Sequence, residues 1–243
     1  MALTPLARIR IVLTRTSHAG NIGAAARAMK TMGLSRLYLV TPKSFPDPQA
    51  TAMASGADDL LASAVVCPDI ETALRGTVLA VGVTARHRDL AATFSWAREA
   101  APEVVATAQQ GETALVFGNE QSGLSNEEVG HCQRLAMIPA NPDFSSLNLA
   151  AAVQILCYEL RLAAIEPGLP PPIGEVGELA PHEDVDRLAD HLERAAIASG
   201  FLDPAQPKRL MPRMRRMFGR ARLEREEVNI LRGMLASFEK KVD

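Results

Sequence analysis

Up to about residue 165, short runs rich in Val, Ile and Leu alternate with Ala-rich stretches of helical length. The runs Ile9–Thr14, Arg36–Val40, Val65–Cys67, Val78–Val83, Ala114–Phe117 and Arg134–Ile138 are short, apolar on both faces, and bounded by Gly, Pro, Ser or Asn. A strand with one wet face alternates apolar with polar residues, whereas a strand covered on both faces does not. These runs therefore predict parallel strands buried between helices. The stretches Asn21–Met32, Thr51–Ala64, Ile70–Leu74, Ser95–Gln109 and Leu147–Ile165 predict the helices. Strands and helices in turn at this spacing predict an α/β fold, a mostly parallel sheet with helices on both faces.

The pattern changes after residue 165. Glu166–Pro181 holds five prolines and three glycines, which remove backbone donors and loosen the chain, so it predicts a linker. Beyond it the sequence is polar and helix-favouring, with helices predicted at His182–Ser199, near Pro204–Phe218 and at Ala221–Lys241. The expected organisation is a domain over 1–165, a linker over 166–181 and a small helical, basic extension over 182–243.

A hydrophobic fraction of 47% with 22% charged residues is ordinary for a globular protein and excludes low-complexity disorder as the main state. The net charge of −2 neither favours nor excludes nucleic acid, because only a local patch meets phosphate. Cys67, Cys132 and Cys157 are far apart, and no CxxC or Cys/His cluster is visible, so neither a disulfide nor a metal is expected. No apolar run approaches the roughly 18–20 residues of a membrane helix, and Met1–Leu13 lacks the features of a signal peptide. A soluble, cytoplasmic protein without a membrane partner is the expectation.

Three segments carry candidate chemistry. Gly20–Gly33 (GNIGAAARAMKTMG) follows a strand and opens a helix, so its first N–H groups can receive an anion or polar ligand. A nicotinamide dinucleotide site is disfavoured, since the spacing is GxxG and the next strand end, YLVTP, has no acid for a ribose. Arg27 stands among alanines and shares a helical face with Gly20 and Gly23; it either snorkels to solvent or points into a site. In Thr113–Leu124, Gly118 and Gly123 allow close approach or positive φ, and Asn119, Glu120, Gln121 and Ser122 lie between them. Ser125 and Glu128 make a capping box for a following helix. The loop Pro139–Phe144 leads to Ser145 or Ser146 as a helix cap, with Asn148 expected in the first turn.

Asn21 with Arg27, Gly118 with Glu120, and the S-L-N of Ser146–Asn148 resemble the three ordered motifs of the SpoU branch of the SPOUT RNA 2′-O-methyltransferases. IRIVLTRTSHAGNIGAAARAMKTMGLSRLYLV, VGVTARHR, LVFGNEQSGLSNEE and PANPDFSSLNLAAAVQ are similar to the bacterial TrmJ-type tRNA (cytidine/uridine-2′-O)-methyltransferases, a likeness covering about residues 8–165. The resemblance implies a deep trefoil knot holding S-adenosyl-L-methionine, with Val83, Thr84, Ala85, Gly118, Ile138, Ser145, Ser146 and Leu147 forming the pocket. It implies catalytic roles for Arg27, Asn21, Glu120, Ser146 and Asn148, and a homodimer with RNA across its interface. The target it implies is tRNA nucleotide 32, in the anticodon loop.

A ribose 2′-hydroxyl needs positioning and a proton acceptor. Arg27 matches the arginine the family proposes as base, but a guanidinium stays protonated at neutral pH. The expected role is therefore to bind the adjacent phosphate and polarise the hydroxyl. Lys208–Arg225 carries eight Lys/Arg against one Glu, which predicts a phosphate-binding surface including Lys208, Arg209, Arg213, Arg215, Arg216 and Arg220. Arg86, His87 and Arg88, after the fourth strand, are expected to touch RNA or order the cofactor loop. Methylation of a ribosomal RNA ribose, a non-catalytic RNA-binding module and a nicotinamide-dependent oxidoreductase are the alternatives.

Overall fold

The structure is a computed structural model that describes residues 5–85, 93–165 and 177–239. Among these, seven strands form one sheet: β1 Ile9–Thr14, β2 Arg36–Val40, β3 Val65–Cys67, β4 Thr77–Val83, β5 Thr93–Trp96, β6 Glu112–Phe117 and β7 Arg134–Met137. Their spatial order is β3-β2-β1-β6-β4-β7-β5, and every neighbouring pair is parallel.

Side chains of each central strand alternate between two cores. Ile9, Ile11 and Leu13 of β1 join Leu79 and Val81 of β4 and Leu115 and Phe117 of β6 beneath α1 (Ala19–Met32), α5 (Ala97–Ala108) and α7 (Leu149–Ile165). Val12, Ala80, Ala114 and Val116 face the other way, toward α4 (Ile70–Leu74) and α6 (Asn126–Gly130). Both faces are dry, which is why these strands show no polar alternation. Arg10 is the exception in β1. Its buried guanidinium pairs with Glu112, donates to the carbonyls of Ala73 (2.8 Å) and Arg75 (2.9 Å), and lies 4.7 Å from the centre of the Tyr38 ring. A charge this deep is tolerable because it is paired and hydrogen-bonded.

Three elements depart from the sequence reading. The stretch 51–64 forms two helices, α2 (Pro48–Ala54) and α3 (Asp58–Ala62), because Ser55 and Gly56 adopt positive φ of 47° and 87° between them. Trp96 belongs to edge strand β5 and α5 starts one residue later, so the segment from Ser95 begins as strand. The glycine face of α1 is covered by α2: a Cβ on Gly23 would sit 1.9 Å from the Ala50 carbonyl oxygen, so the two helices pack backbone to backbone there.

The last helices, α8 (His182–Ala198), α9 (Leu210–Ala221) and α10 (Arg225–Glu239), enclose a third core around Leu188, Met211, Phe218 and Val228. They meet the sheet at the N-terminal ends of its strands. Glu183 accepts from Gly76 N–H just before β4 (2.8 Å), and Arg222 donates to Glu103 and Thr107 of α5 (3.2 Å each). Residues 166–176 of the expected linker lie outside the described residues. Its end is packed: Leu179 and Ala180 are buried, and Ala180 N–H donates to Leu223 O (2.9 Å).

Candidate active site

At the C-terminal ends of β4, β6 and β7 the loops enclose a cavity of about 260 Å³. Chain order reverses close by, where β1 sits between β2 and β6, and ligands of open α/β sheets bind at such switch points. Val83, Phe117, Ile138, Leu147, Leu149 and Ala152 give the cavity apolar walls. Thr84, Ser145, Ser146 and the loop from Gly118 to Gly123 add hydroxyls, amides and backbone groups. Thus Val83, Thr84, Ala85, Gly118, Ile138, Ser145, Ser146 and Leu147, dispersed over the sequence, are brought to one hollow.

Backbone geometry dictates the two loop glycines. A Cβ on Gly118 would lie 2.1 Å from both Gly123 C and Leu124 N, because the loop folds back across it. Gly123 has a φ of 68° and its N–H closes onto Asn119 O at 2.8 Å. Asn119 Oδ1 accepts from Gln121 N–H (2.9 Å), and its Nδ2 donates to Arg15 O (2.6 Å) and Ser17 Oγ (2.7 Å). The loop is thereby tied to the turn that precedes α1.

Glu120 sits where the three motifs meet. Its carboxylate accepts from Ser17 N–H (2.9 Å), His18 N–H (3.3 Å) and Asn21 Nδ2 (2.9 Å). The anion received at the start of α1 is therefore one of the chain's own side chains. Burial opposes the charge on Glu120, but the hydrogen bonds from Asn21 and the Ser17 and His18 amides outweigh it and hold the carboxyl below its ordinary value. Asn148 Nδ2 donates in turn to Asn21 Oδ1 (3.0 Å), completing a relay Asn148–Asn21–Glu120. Asn148 also caps α7, its Oδ1 accepting from the N–H groups of Ala150 (2.9 Å) and Ala151 (3.3 Å). The cap is thus Asn148 rather than Ser145 or Ser146, and both serines are left beside the cavity.

Behind the loop the capping box forms, with Ser125 Oγ accepting from Glu128 N–H (3.1 Å) and Glu128 Oε2 from Ser125 N–H (2.6 Å). Arg15 grips the same Glu128 through Nε (3.0 Å) and Nη2 (2.7 Å). Asn119 was among the polar loop residues and Glu128 was read as half of the capping box, but Ser17 and Arg15 were not legible as parts of the site; their only signal is closeness in sequence to the motifs.

Arg27 is not among the cavity-lining residues. It lies six residues beyond Asn21, about 9 Å along the helix at 1.5 Å per residue, on the exposed surface. Among the described residues it makes no hydrogen bond or ion pair. In the basic segment, Lys208, Arg209 and Arg213 line an open hollow beside the exposed Phe201, and Arg220 is also exposed. Arg216 is half-buried. Arg215 is engaged internally, paired with Asp186 and Asp190 of α8, so α8 claims its charge. Arg86, His87 and Arg88 lie outside the described residues.

A model of the SpoU rRNA Methylase family matches residues 8–158, which hold the sheet and the whole cavity. The chain belongs to the SpoU methylase family. A second model, of the C-terminal domain of the tRNA methyltransferase TrmJ, matches residues 183–243 of this SpoU protein. The tRNA (cytidine/uridine-2′-O-)-methyltransferase TrmJ of Klebsiella pneumoniae subsp. pneumoniae is 47% identical to it over 239 residues, 97% of this chain and 98% of that protein. The crystal structure of TrmJ from Z. mobilis ZM4 superposes with a TM-score of 0.83 at 31% identity, covering 95% of this chain and 98% of that one. The SpoU methyltransferase AviRb from Streptomyces viridochromogenes, in complex with AdoMet, superposes at 0.50 with 25% identity over 64% and 60% of the two chains.

Proposed function

We propose that this SpoU-family chain is an S-adenosylmethionine-dependent methyltransferase acting on a ribose 2′-hydroxyl of tRNA. The observation that carries the reading is the gathering of all the cofactor residues implied by resemblance into one hollow at the strand ends. Its likeness over nearly the full chain to a tRNA 2′-O-methyltransferase supports the substrate.

The cavity suits the cofactor. Its volume approaches the lower end of the roughly 300–1,000 Å³ usual for small-molecule sites. Among the described residues that line it there is no Lys or Arg to repel a cationic ligand, and Glu120 supplies the one carboxylate. Val83, Ile138 and Leu147 would flank an apolar ring, while Thr84, Ser145, Ser146 and the loop backbone offer hydrogen bonds. The bound cofactor supplies an electrophilic methyl group on its sulfonium.

The chain's own task is then to hold the 2′-oxygen in line. The Asn148–Asn21–Glu120 relay fixes the loop floor, and Ser146 lies beside it. Arg27, exposed and without a partner among the described residues, binds the phosphate next to the target and orients its hydroxyl. As a permanent cation it positions rather than removes the proton. Lys208, Arg209, Arg213, Arg216 and Arg220 hold the RNA backbone, with Arg86 and Arg88 expected to join them.

The finer proposal, resting on the family resemblance, is nucleotide 32 of the anticodon loop, cytidine or uridine. A trefoil-knotted cofactor domain, a homodimer with RNA across the interface and a cytoplasmic location belong to the same reading. Among the described residues no helix is long and apolar enough to cross a membrane.

The test is to incubate the full chain with methyl-labelled S-adenosylmethionine and bulk tRNA or ribosomal RNA, then map the label by mass spectrometry. Label on a tRNA ribose supports the proposal. No transfer to any RNA rejects the enzyme, label on a base rejects 2′-O chemistry, and label confined to ribosomal RNA rejects the substrate.

A further inference from the structure

Where α8 meets the sheet domain, two histidines and an aspartate that the proposed reaction does not use converge. His131, at the end of α6, places Nδ1 3.3 Å from Nε2 of His182 and 3.8 Å from Oδ2 of Asp186. His182 Nε2 is 3.1 Å from the same Asp186 oxygen, the two residues being one turn apart on α8. We propose that His131, His182 and Asp186 bind one divalent transition-metal ion, zinc by their donor chemistry, which clamps the C-terminal helices to the sheet domain.

The separations fit a metal triangle. The circle through three atoms 3.3, 3.1 and 3.8 Å apart has a radius of about 2.0 Å, the length of a zinc–nitrogen or zinc–carboxylate bond. An ion slightly out of their plane reaches all three atoms without moving any of them. Two imidazoles and a carboxylate are donors that suit zinc. A pocket of about 20 Å³ at the seam has room for one water as a fourth ligand.

The surroundings aim the donors. Glu71 Oε1 lies 3.0 Å from His131 Nε2, so that nitrogen carries the proton and Nδ1 turns a bare lone pair toward the triangle. A carboxylate on the far nitrogen is the usual outer partner of a metal-bound histidine. Arg215 takes Oδ1 of Asp186 and leaves Oδ2 facing the histidines. Among the described residues His182 Nδ1 is buried without a hydrogen-bond partner, while Nε2 lies 3.1 Å from Asp186 Oδ2, so without an ion Nε2–H donates to that oxygen and the ion would displace this proton to Nδ1. The two ring nitrogens lie 3.3 Å apart, so either the Nε2 proton of His182 or a cation stands between them. His131 and His182 are 51 residues apart, which hides the cluster from any reading of spacing.

The test uses untagged full chain, stripped of metal by a chelator and titrated with Co²⁺. The expected result is one ion per chain with the visible band of four-coordinate cobalt, its displacement by Zn²⁺, and a Zn²⁺-dependent rise in Tm. His131→Asn and His182→Asn should abolish the band while binding S-adenosylmethionine as the parent does. Glu71→Gln, outside the ligand set, should weaken Co²⁺ binding by about 10–100-fold, and it decides the matter if the asparagine variants fail to fold. No stoichiometric uptake would mean that a shared proton fills the triangle and would overturn the proposal. Uptake that survives both asparagine substitutions, or an unchanged Co²⁺ affinity in Glu71→Gln, would overturn it as well.

Discussion

Loop 118–124 and the basic helix α9 serve the two halves of one proposed reaction, and they are held very differently. In the loop, Glu120 accepts three hydrogen bonds, Asn119 makes bonds at both ends of its amide, and Gly118 is overlaid by backbone. On and just before α9, the side chains of Lys208, Arg209, Arg213 and Arg220 form no hydrogen bond or ion pair among the described residues, and all four are exposed. A small cofactor must be placed to within a fraction of an ångström, so its site is fixed in advance by internally hydrogen-bonded side chains and backbone. A polyanion is held by many screened contacts and counterion release, for which mobile exposed cations suffice. The two halves should therefore fail in different ways.

The largest effect is expected from Gly118→Ala. The new methyl would meet two backbone atoms at 2.1 Å, so the loop must open. Overpacking of this kind costs about 1–3 kcal/mol or more. Calorimetry should show S-adenosylmethionine affinity falling at least about tenfold, with tRNA affinity nearly unchanged. Arg27→Lys comes next. It keeps the charge but loses the planar fork, and kcat should drop on the order of 100-fold, as when one preorganised donor is removed. Near-normal turnover in that variant would remove Arg27 from its positioning role.

Glu120→Gln should act more gently, costing about 1 kcal/mol because the carboxylate is partly exposed to solvent. The sign with pH follows from its depressed pKa. The stabilisation is complete above the ordinary carboxylate value of 4.5 and is lost as pH falls through the lower folded value. The stability gap between parent and variant, measured by denaturant unfolding, should accordingly be widest near neutrality and close in acid. A gap that stays constant with pH would show that the charge of Glu120 is not what binds the turn before α1.

The sheet was legible because a doubly buried strand leaves an apolar run, as in Ile11–Leu13 and Ala114–Phe117. Edge strand β5 was not, since the four residues TFSW alternate polar and apolar and run straight into a helix. The break within 51–64 was written in Ser55–Gly56, a turn dipeptide lying inside a helical pattern. Gly118 and Gly123 could be read as special, and each proved so for one of the two anticipated reasons. The relay Asn148–Asn21–Glu120 joins residues 99 and 127 positions apart, and no local rule yields such a pairing. Only family resemblance pointed to those three together. Arg215 shows the opposite case, where a basic run suggested RNA but packing gave one cation to Asp186 and Asp190.

Steady-state kinetics of a variant with Lys208, Arg209 and Arg213 all changed to Ala test the separation of the two halves most directly. With KM for tRNA and KM for S-adenosylmethionine taken in the same assay, the tRNA KM should rise. Its salt dependence should be shallower by about one unit for each phosphate that is no longer neutralised. The cofactor KM and the kcat at saturating tRNA should match the parent. A raised cofactor KM with an unchanged tRNA KM would contradict that separation.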